Sequence, residues 1–251
     1  MHAARSAHAA PPRSRLDTAL LAVLVAALVL LALKCAWACD DAYITFRVVD
    51  NLVEGHGPRW NVAERVQAYT NPLWMLLVSI PYALTREPYY TSIALSLALT
   101  AATGLLLALR AARDVAGAAL ALCVLAGSKA FVDFSTSCLE NPLLHFALLG
   151  ALATAFSEEP DRRRSLKLAL WSSAVALTRL DALALLAPVL AAHAWQERSR
   201  RALAGLALGF LPLVAWELFS LVYYGSLIPN SAISKLSSGI PASELATQGL
   251  A

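Results

Sequence analysis

The stretch LDTALLAVLVAALVLLALKCAWACDDAYITFR, residues 16–47, decides the fold. From 16 to 38 it is almost unbroken apolar sequence, long enough to cross a hydrocarbon core of about 30 Å as a helix. A secretory signal peptide is the rival reading, because Ala36-Trp37-Ala38 has the spacing of a cleavage site. The run exceeds the usual signal core of about 7–15 residues, and Trp fits such a site poorly. An uncleaved first membrane span is therefore expected. Two adjacent carboxylates, Asp40 and Asp41, follow directly.

The rest of the chain agrees with a membrane protein. Its 251 residues are 59% hydrophobic and only 15% charged, with a mean hydropathy of +0.60. A soluble domain carries about 25% charged residues. The polar surface is too small to cover a globule, so the expected fold is an all-α polytopic helix bundle with the lipid bilayer as partner. The formal net charge is +3. No basic patch has interleaved aromatics, which excludes nucleic acid as a partner. Cys35, Cys39, Cys123 and Cys138 lie in or beside apolar runs without metal-ligand spacing, and read as buried small hydrophobes.

Residues 40–57 read as a helix. Ala42, Phe46, Val49 and Val53 recur at spacings of three and four, while Asp40, Arg47, Asn51 and Glu54 fall on the opposite face. Such a helix lies along a membrane interface, and Gly55 and Gly57 stop it. A polar loop covers 58–71. Residues 72–84 are apolar but short and carry Pro81, which suits a re-entrant or interfacial segment. Spans are expected over 89–109, 115–132, 142–156 and 202–223. Two short apolar pieces, 166–180 and 181–195, meet at Arg179-Leu180-Asp181. The total is about seven spans.

Charge sets the orientation. If 72–84 does not cross and Arg179–Asp181 is a hairpin tip, the segments 1–15, 110–114, 157–167 and 196–201 lie inside. They hold twelve of the twenty Lys and Arg residues. If 72–84 crosses, the inside keeps only about seven, so the positive-inside rule favours the first arrangement. It also keeps Arg179 and Asp181 out of the bilayer centre. The expected organisation is a basic cytoplasmic tail, 1–15, followed by a membrane domain, 16–251. Its outer loop, 39–88, carries the chemistry. Asp40, Asp41, Arg47, Trp60, Asn61, Glu64, Tyr69, Asn71, Arg86, Glu140, Arg179, Asp181, Asn230 and Lys235 then gather on one outer surface.

Two carboxylates at a helix start have an ordinary explanation as caps that complement the helix dipole. Beside a membrane they have another. Close like charges push one pKa up and leave its neighbour ionised, which yields a base for a hydroxyl proton. Trp60, Asn61, Tyr69 and Asn71 follow within one loop, suited to stacking on a sugar ring and bonding its hydroxyls, though Trp and Tyr also anchor at interfaces.

The residues also carry a family resemblance. Asp40-Asp41-Ala42-Tyr43-Ile44-Thr45-Phe46-Arg47, Asp50-Asn51, Gly55-His56-Gly57, Trp60-Asn61 and Glu64 through Trp74 resemble the first outer loop of GT-C membrane glycosyltransferases. The likeness is to the terminal β-(1→2) arabinofuranosyltransferases of the mycobacterial cell envelope and their bacterial relatives. Ser137-Cys138-Leu139-Glu140-Asn141-Pro142-Leu143 is similar to that group's Ser-Gly-Leu-Glu-Thr-Pro-Leu, with Cys138 in place of Gly. Leu177-Thr178-Arg179-Leu180-Asp181 is similar to Leu-Thr-Arg-Pro-Asp, with Leu180 in place of Pro. Pro229-Asn230-Ser231-Ala232 and Lys235-Leu236 resemble a later Pro-Asn-Thr-Ala…Lys-Leu loop.

The resemblance implies a polyprenyl-phosphate-linked sugar donor and a glycan or glycolipid acceptor. It implies an inverting transfer on the outer face of a bacterial inner membrane, with no nucleotide. Asp40 or Asp41 would take the acceptor proton. Arg47, Asn51, Trp60, Asn61, Glu64, Tyr69, Asn71, Glu140, Asp181 and Asn230 would line the substrate. Arg86, Arg179 and Lys235 would face the lipid phosphate, where an Arg fork suits best. Ordinary roles stand beside these: Arg86 as a snorkelling side chain, Arg179 with Asp181 as an ion pair closing a hairpin, Glu140 as a helix cap. No cofactor is assigned, and a divalent metal bridging the carboxylates and phosphate stays open. The family's members are longer, so a truncated domain is expected. A non-catalytic scaffold and a transporter component are the alternatives. A transporter would place ionisable groups within spans along a pathway; only Lys34, Lys129 and Glu217 come near that description, and they do not pair by helical spacing.

Overall fold

The computed structural model describes residues 14–112, 114–157, 161–236, 244 and 247. The basic tail, apart from Ser14 and Arg15, lies outside these residues, as do Arg113, Glu158 and Glu159. The described residues are helical, with no strand. In chain order the helices are α1 (Arg15–Lys34), α2 (Ala42–Val53), α3 (Pro72–Thr85), α4 (Pro88–Leu106), α5 (Val115–Gly127), α6 (Lys129–Phe134) and α7 (Asn141–Ala155). These are followed by α8 (Arg164–Thr178), α9 (Leu183–Gln196), α10 (Arg200–Gly209), α11 (Leu211–Tyr224) and α12 (Asn230–Leu236). A π turn, Leu107–Ala111, extends α4, and a 3-10 turn, Leu180–Ala182, joins α8 to α9.

α1 starts with a capping box: Ser14 accepts from the Asp17 amide, and the Asp17 carboxylate accepts from the Ser14 amide. It and Pro88–Ala111 are long and apolar enough to cross a membrane among the described residues. A third such unit is the pair α10–α11, which bends by 42° between Gly209 and Leu211. The expected single helix over 202–223 is thus two helices. Pro212 in the first turn of α11 supplies no amide to continue the ladder from α10. The expected span over 115–132 is also divided. Ser128 leaves helical geometry after Gly127, and its hydroxyl caps α6 by accepting from the Phe131 amide.

α3 runs for 14 residues and passes through Pro81 rather than stopping there. It is one of the shorter apolar helices, as is Asn141–Ala155, so the expected span over 142–156 also falls below the length of about 20 residues that a full crossing needs. α8 and α9 are likewise short, and they meet at Arg179–Asp181 as the sequence suggests.

α10 and α7 both pack on α8, α4 packs on α7, α2 on α3, and α1 on α4 and α5. Small residues set the closeness. A Cβ on Gly209 would stand 2.4 Å from the Ala169 Cβ and 2.7 Å from the Leu166 carbonyl oxygen. One core cluster joins Val48 and Val49 of α2 to Trp74, Met75, Val78 and Tyr82 of α3 and to Leu143 of α7. A smaller cluster of Ala42, Phe46, Ile93 and Cys138 lies beside it. These clusters hold the starts of α2, α3 and α7 together.

Candidate active site

Three residues at or just before helix starts withhold their side chains from capping. Asp41 precedes α2, Asn71 precedes α3 and Glu140 precedes α7, and none makes a side-chain cap hydrogen bond. Each is a favourable or tolerated residue at its position, and a polar cap contributes about 0.5–2 kcal/mol. Asn71 and Glu140 turn to each other instead. Asn71 Nδ2 donates to Glu140 Oε2 at 2.8 Å. Both are more than nine-tenths buried. Asn71 Oδ1 accepts from the Thr45 hydroxyl at 3.5 Å, a long contact.

The other oxygen of Glu140 faces Arg179, Oε1 to Nη1 at 3.7 Å. Arg179 also donates to Asp181 through Nε at 3.3 Å and Nη2 at 3.1 Å. Those bonds raise the Arg179 pKa further and hold the Asp181 carboxyl below the usual range. Four separate segments thus form one polar chain, Thr45–Asn71–Glu140–Arg179–Asp181. The ordinary reading of Glu140 as the cap of α7 does not hold, since its carboxylate is directed across to α3 and α8. The ion pair between Arg179 and Asp181 is present, and it reaches Glu140 as well.

The acidic pair is tied to the same loop. Cys39 N donates to Ser137 O at 3.0 Å, Trp37 Nε1 to Asp133 O at 2.9 Å, and the Thr136 hydroxyl to Ala32 O at 3.2 Å. Trp74 Nε1 donates to Cys138 O at 3.2 Å and brings α3 in. Cys138 sits at φ 61°, the left-handed region that glycine prefers. Burial pushes its thiol up to about 12. Asp41 precedes Thr45 by four residues, which puts their Cβ atoms on one helix face about 5–6 Å apart.

Asp40 and Asp41 are both exposed. Asp40 Oδ1 accepts from the Cys39 thiol at 3.2 Å and the Asp41 amide at 3.0 Å. These bonds, the thiol first, hold the Asp40 carboxyl below its ordinary pKa. Burial, then the Asp40 contact, raises the Cys39 thiol. The expected upward push on one carboxyl by its neighbour is therefore not seen at Asp40, where hydrogen bonds to the charged form dominate. Among the described residues the Asp41 carboxylate takes no hydrogen bond or ion pair.

The remaining candidates have other places. Asn51 is buried, not on an outer polar face: its amide donates to Arg59 O and Trp60 O, both at 2.8 Å, and folds the first loop back on α2. Trp60 itself stays partly exposed. Asn61 donates to Glu64. Arg47 is exposed and 4.0 Å from Asp50. Arg86 pairs with Glu54 at the far end of α2, so its charge is matched away from the Asn71–Glu140 chain. Tyr69 is buried and its hydroxyl meets that of Tyr224 at 2.9 Å. Asn230 pairs twice with Gln67, its amide to Gln67 O at 3.1 Å and Gln67 N to its Oδ1 at 3.3 Å. Lys235 belongs to α12, and its side chain lies outside what the structure describes. Among the described residues no group of three or more His, Cys, Asp or Glu gathers as metal ligands.

Sequence reasoning missed Thr45 and Gln67. Gln67 is fully buried and its Oε1 accepts from the Ser220 hydroxyl at 3.1 Å. Both lie inside the quoted first-loop motif, but neither type signals chemistry by itself.

Comparison with known proteins follows the same line. The chain is 33% identical over 230 residues to a terminal β-(1→2)-arabinofuranosyltransferase of Mycobacterium tuberculosis. It is 29% identical over 235 residues to the protein of that name in Corynebacterium glutamicum. This chain is similar to terminal β-(1→2)-arabinofuranosyltransferases. The alignments cover 81% and 80% of this chain but 35% and 33% of those proteins, so the chain spans about a third of the length of the curated relatives it matches. No family profile and no solved structure matches it.

Proposed function

We propose that this chain carries the catalytic first loop of a membrane glycosyltransferase of arabinofuranosyltransferase type, within a GT-C bundle of about seven spans whose N-terminus is cytoplasmic and whose site faces outward. The similarity to two proteins of that name supports the sugar-transfer reading. The observation that carries the site is the joining of Asn71, Glu140 and Arg179, which Thr45, one turn after Asp41, meets through Asn71. Motifs far apart in sequence have no structural need to pool uncapped helix-start residues. Sites that break local rules are where function is expected.

In this reading the donor is a sugar on polyprenyl phosphate and the acceptor a glycan hydroxyl. The acceptor oxygen attacks the anomeric carbon as the bond from that carbon to the phosphate oxygen breaks, with inversion. The hydroxyl proton passes to Asp41, whose carboxylate is unengaged and one turn from Thr45. Asp40, ionised and anchored by the Cys39 thiol and the Asp41 amide, positions the loop. Its charge also favours the developing oxocarbenium character of the sugar. The departing polyprenyl phosphate carries away the electron pair of the broken bond. Arg179 faces that charge and is held in place by Glu140 and Asp181.

The test is sugar transfer by the full chain in membranes, with a panel of polyprenyl-phosphate sugars and a cell-envelope glycan. Asp41→Asn is expected to lower transfer by 10²-fold or more, the usual range for a general base, while membrane insertion is unchanged. Full activity in the Asp40→Asn, Asp41→Asn double variant would sink the proposal. Donor binding without turnover in the unaltered chain would select a scaffold instead.

A further inference from the structure

A polar pocket of about 340 Å³ lies where the start of α8, the end of α9 and the start of α10 meet. It is at the opposite end of α8 from Arg179. Fifteen helical residues separate the two, about 22 Å. Its walls include Arg162, Arg164, Ser165, His193, Glu197 and Arg201.

The charge in this pocket is not spent internally. Asp161, the acid beside Arg162, is matched by Lys167, whose Nζ stands 2.7 Å from its Oδ2. Arg164 is fixed by donating through Nη2 to Ser157 O at 2.5 Å. Among the described residues the guanidiniums of Arg162 and Arg201 have no partner. Glu197 is the one acidic lining residue that Lys167 does not offset. The guanidiniums of Arg162 and Arg201 alone therefore outnumber the one carboxylate, Glu197, that Lys167 does not offset. A part-buried pair completes the wall: the Ser165 hydroxyl and His193 Nε2 are 2.9 Å apart. The start of α8 carries no side-chain cap, so its first-turn amides add to the positive potential.

We propose that this pocket binds a phosphate group. The surroundings suit the phosphate of an anionic lipid headgroup. Trp195 is largely exposed and the Arg198 guanidinium lies 4.1 Å from the centre of its ring. Such a pair belongs at a membrane–water boundary. α10 leads from the pocket into the bent apolar pair that is long enough to span. Basic pockets between helix ends are the recurring way for a membrane protein to hold lipid phosphates. A soluble phosphate offers the same oxygens. The proposal is independent of the sugar-transfer reading.

Purified full chain in a neutral detergent tests it, with binding read by native mass spectrometry and by the melting temperature. The probes are phosphatidylglycerol, phosphatidylcholine and inorganic phosphate. Phosphatidylglycerol is expected to bind in preference to phosphatidylcholine and to raise the melting temperature. Arg162→Gln and Arg201→Gln should each weaken it about fivefold, and Glu197→Gln should tighten it. Arg198→Gln, which removes a charge nearby but outside the pocket, should change affinity less. Binding of inorganic phosphate with the same variant pattern, and none of phosphatidylglycerol, would support the site with a soluble ligand. Binding of neither probe, or phosphatidylglycerol affinity unchanged in the Arg162→Gln, Arg201→Gln double variant, would overturn it. The glutamine variants keep long polar side chains at exposed positions. Should the double variant not fold, a failure of Glu197→Gln to tighten binding overturns the proposal.

Discussion

Asn71 and Glu140 stand 69 residues apart in the chain and 2.8 Å apart in the fold. Each is a helix-start residue whose side chain serves the other rather than its own helix. Removing the amide should be costly, because the Glu140 carboxylate stays buried without its donor. Asn71→Ala is expected to destabilise by about 1–3 kcal/mol. Asn71→Asp should cost more, since it sets a second carboxylate against the first. Thermal unfolding in one fixed detergent checks the order, and equal stability of Asn71→Ala and the unaltered protein would show that the pair is idle.

The Arg179–Asp181 contact predicts a pH dependence with a defined sign. The Asp181 carboxyl is held low by Arg179. A depressed folded pKa gives stability that is present above the unfolded value of about 3.9. That stability is lost as pH falls through the folded pKa. The difference in melting temperature between the unaltered chain and Asp181→Asn should be constant from about pH 8 to 5. It should shrink below about pH 4. The Asp181 side chain is 72% exposed, so the difference will be small and weaker in high salt.

Cys138 predicts a comparison of two truncations. Its φ of 61° costs a residue with a Cβ about 1–2 kcal/mol. Cys138→Ala and Cys138→Gly both lose the buried sulfur, but only glycine relieves the backbone. The glycine variant should be more stable than the alanine variant by about 0.5–1 kcal/mol, after the greater freedom of unfolded glycine is allowed for. Denaturant midpoints of the two variants decide it. The resemblance in sequence, where glycine is usual at this place, has its physical reason in this angle.

Gly209 predicts an overpacking penalty. The nearest atoms to an added Cβ are the Ala169 Cβ, the Leu166 carbonyl oxygen and the Leu170 amide nitrogen, all under 3.0 Å. Two of these are backbone and cannot rotate away. Gly209→Ala should therefore push α10 from α8 and cost about 1–3 kcal/mol. It should also strain the bond from the Ser173 hydroxyl to Gly209 O. Adding Ala169→Gly should recover only part of the loss, because the backbone contacts persist. Full recovery would mean that the Ala169 methyl alone sets the distance.

Much of this was legible in the sequence, for reasons visible in particular residues. The apolar run of α1, the glycines after α2 and the polar break at Arg179–Asp181 are local signals, and each marks a real boundary. Gly55 and Gly57 adopt φ of 81° and 90°, as a helix stop requires. The motif residues Asn71, Glu140 and Arg179 stand out in the sequence, although their contact does not. What sequence could not supply is what a polar side chain turns toward. Asn51 looks like a solvent residue on an amphipathic helix until the loop after it folds back and offers two carbonyls. Gln67 is invisible for the same reason: its partners, Asn230 and Ser220, lie more than 150 residues away. The breaks at Ser128 and Gly209 fall inside apolar runs. Gly127-Ser128-Lys129 and Pro212 are short signals within long apolar stretches, and cap geometry and close packing show that they end a helix.

Sidedness is the last prediction, and the proposed site depends on it. Val62 is exposed in the first loop, beside Asn61 and the Arg59 carbonyl that Asn51 holds. Arg163 is exposed at the start of α8, beside the phosphate-suited pocket. With the four native cysteines replaced by serine or alanine, Val62→Cys should react with an impermeant maleimide from outside the cell. Arg163→Cys should react only after the membrane is opened. The segments on the Arg163 side carry most of the Lys and Arg residues, as the positive-inside rule requires of the cytoplasmic face. Labelling of both positions from the same side would move the Asp pair and the Arg179 end of α8 to different faces or invert them together. In either case a donor presented at the outer surface could not reach Asp41 and Arg179 at once.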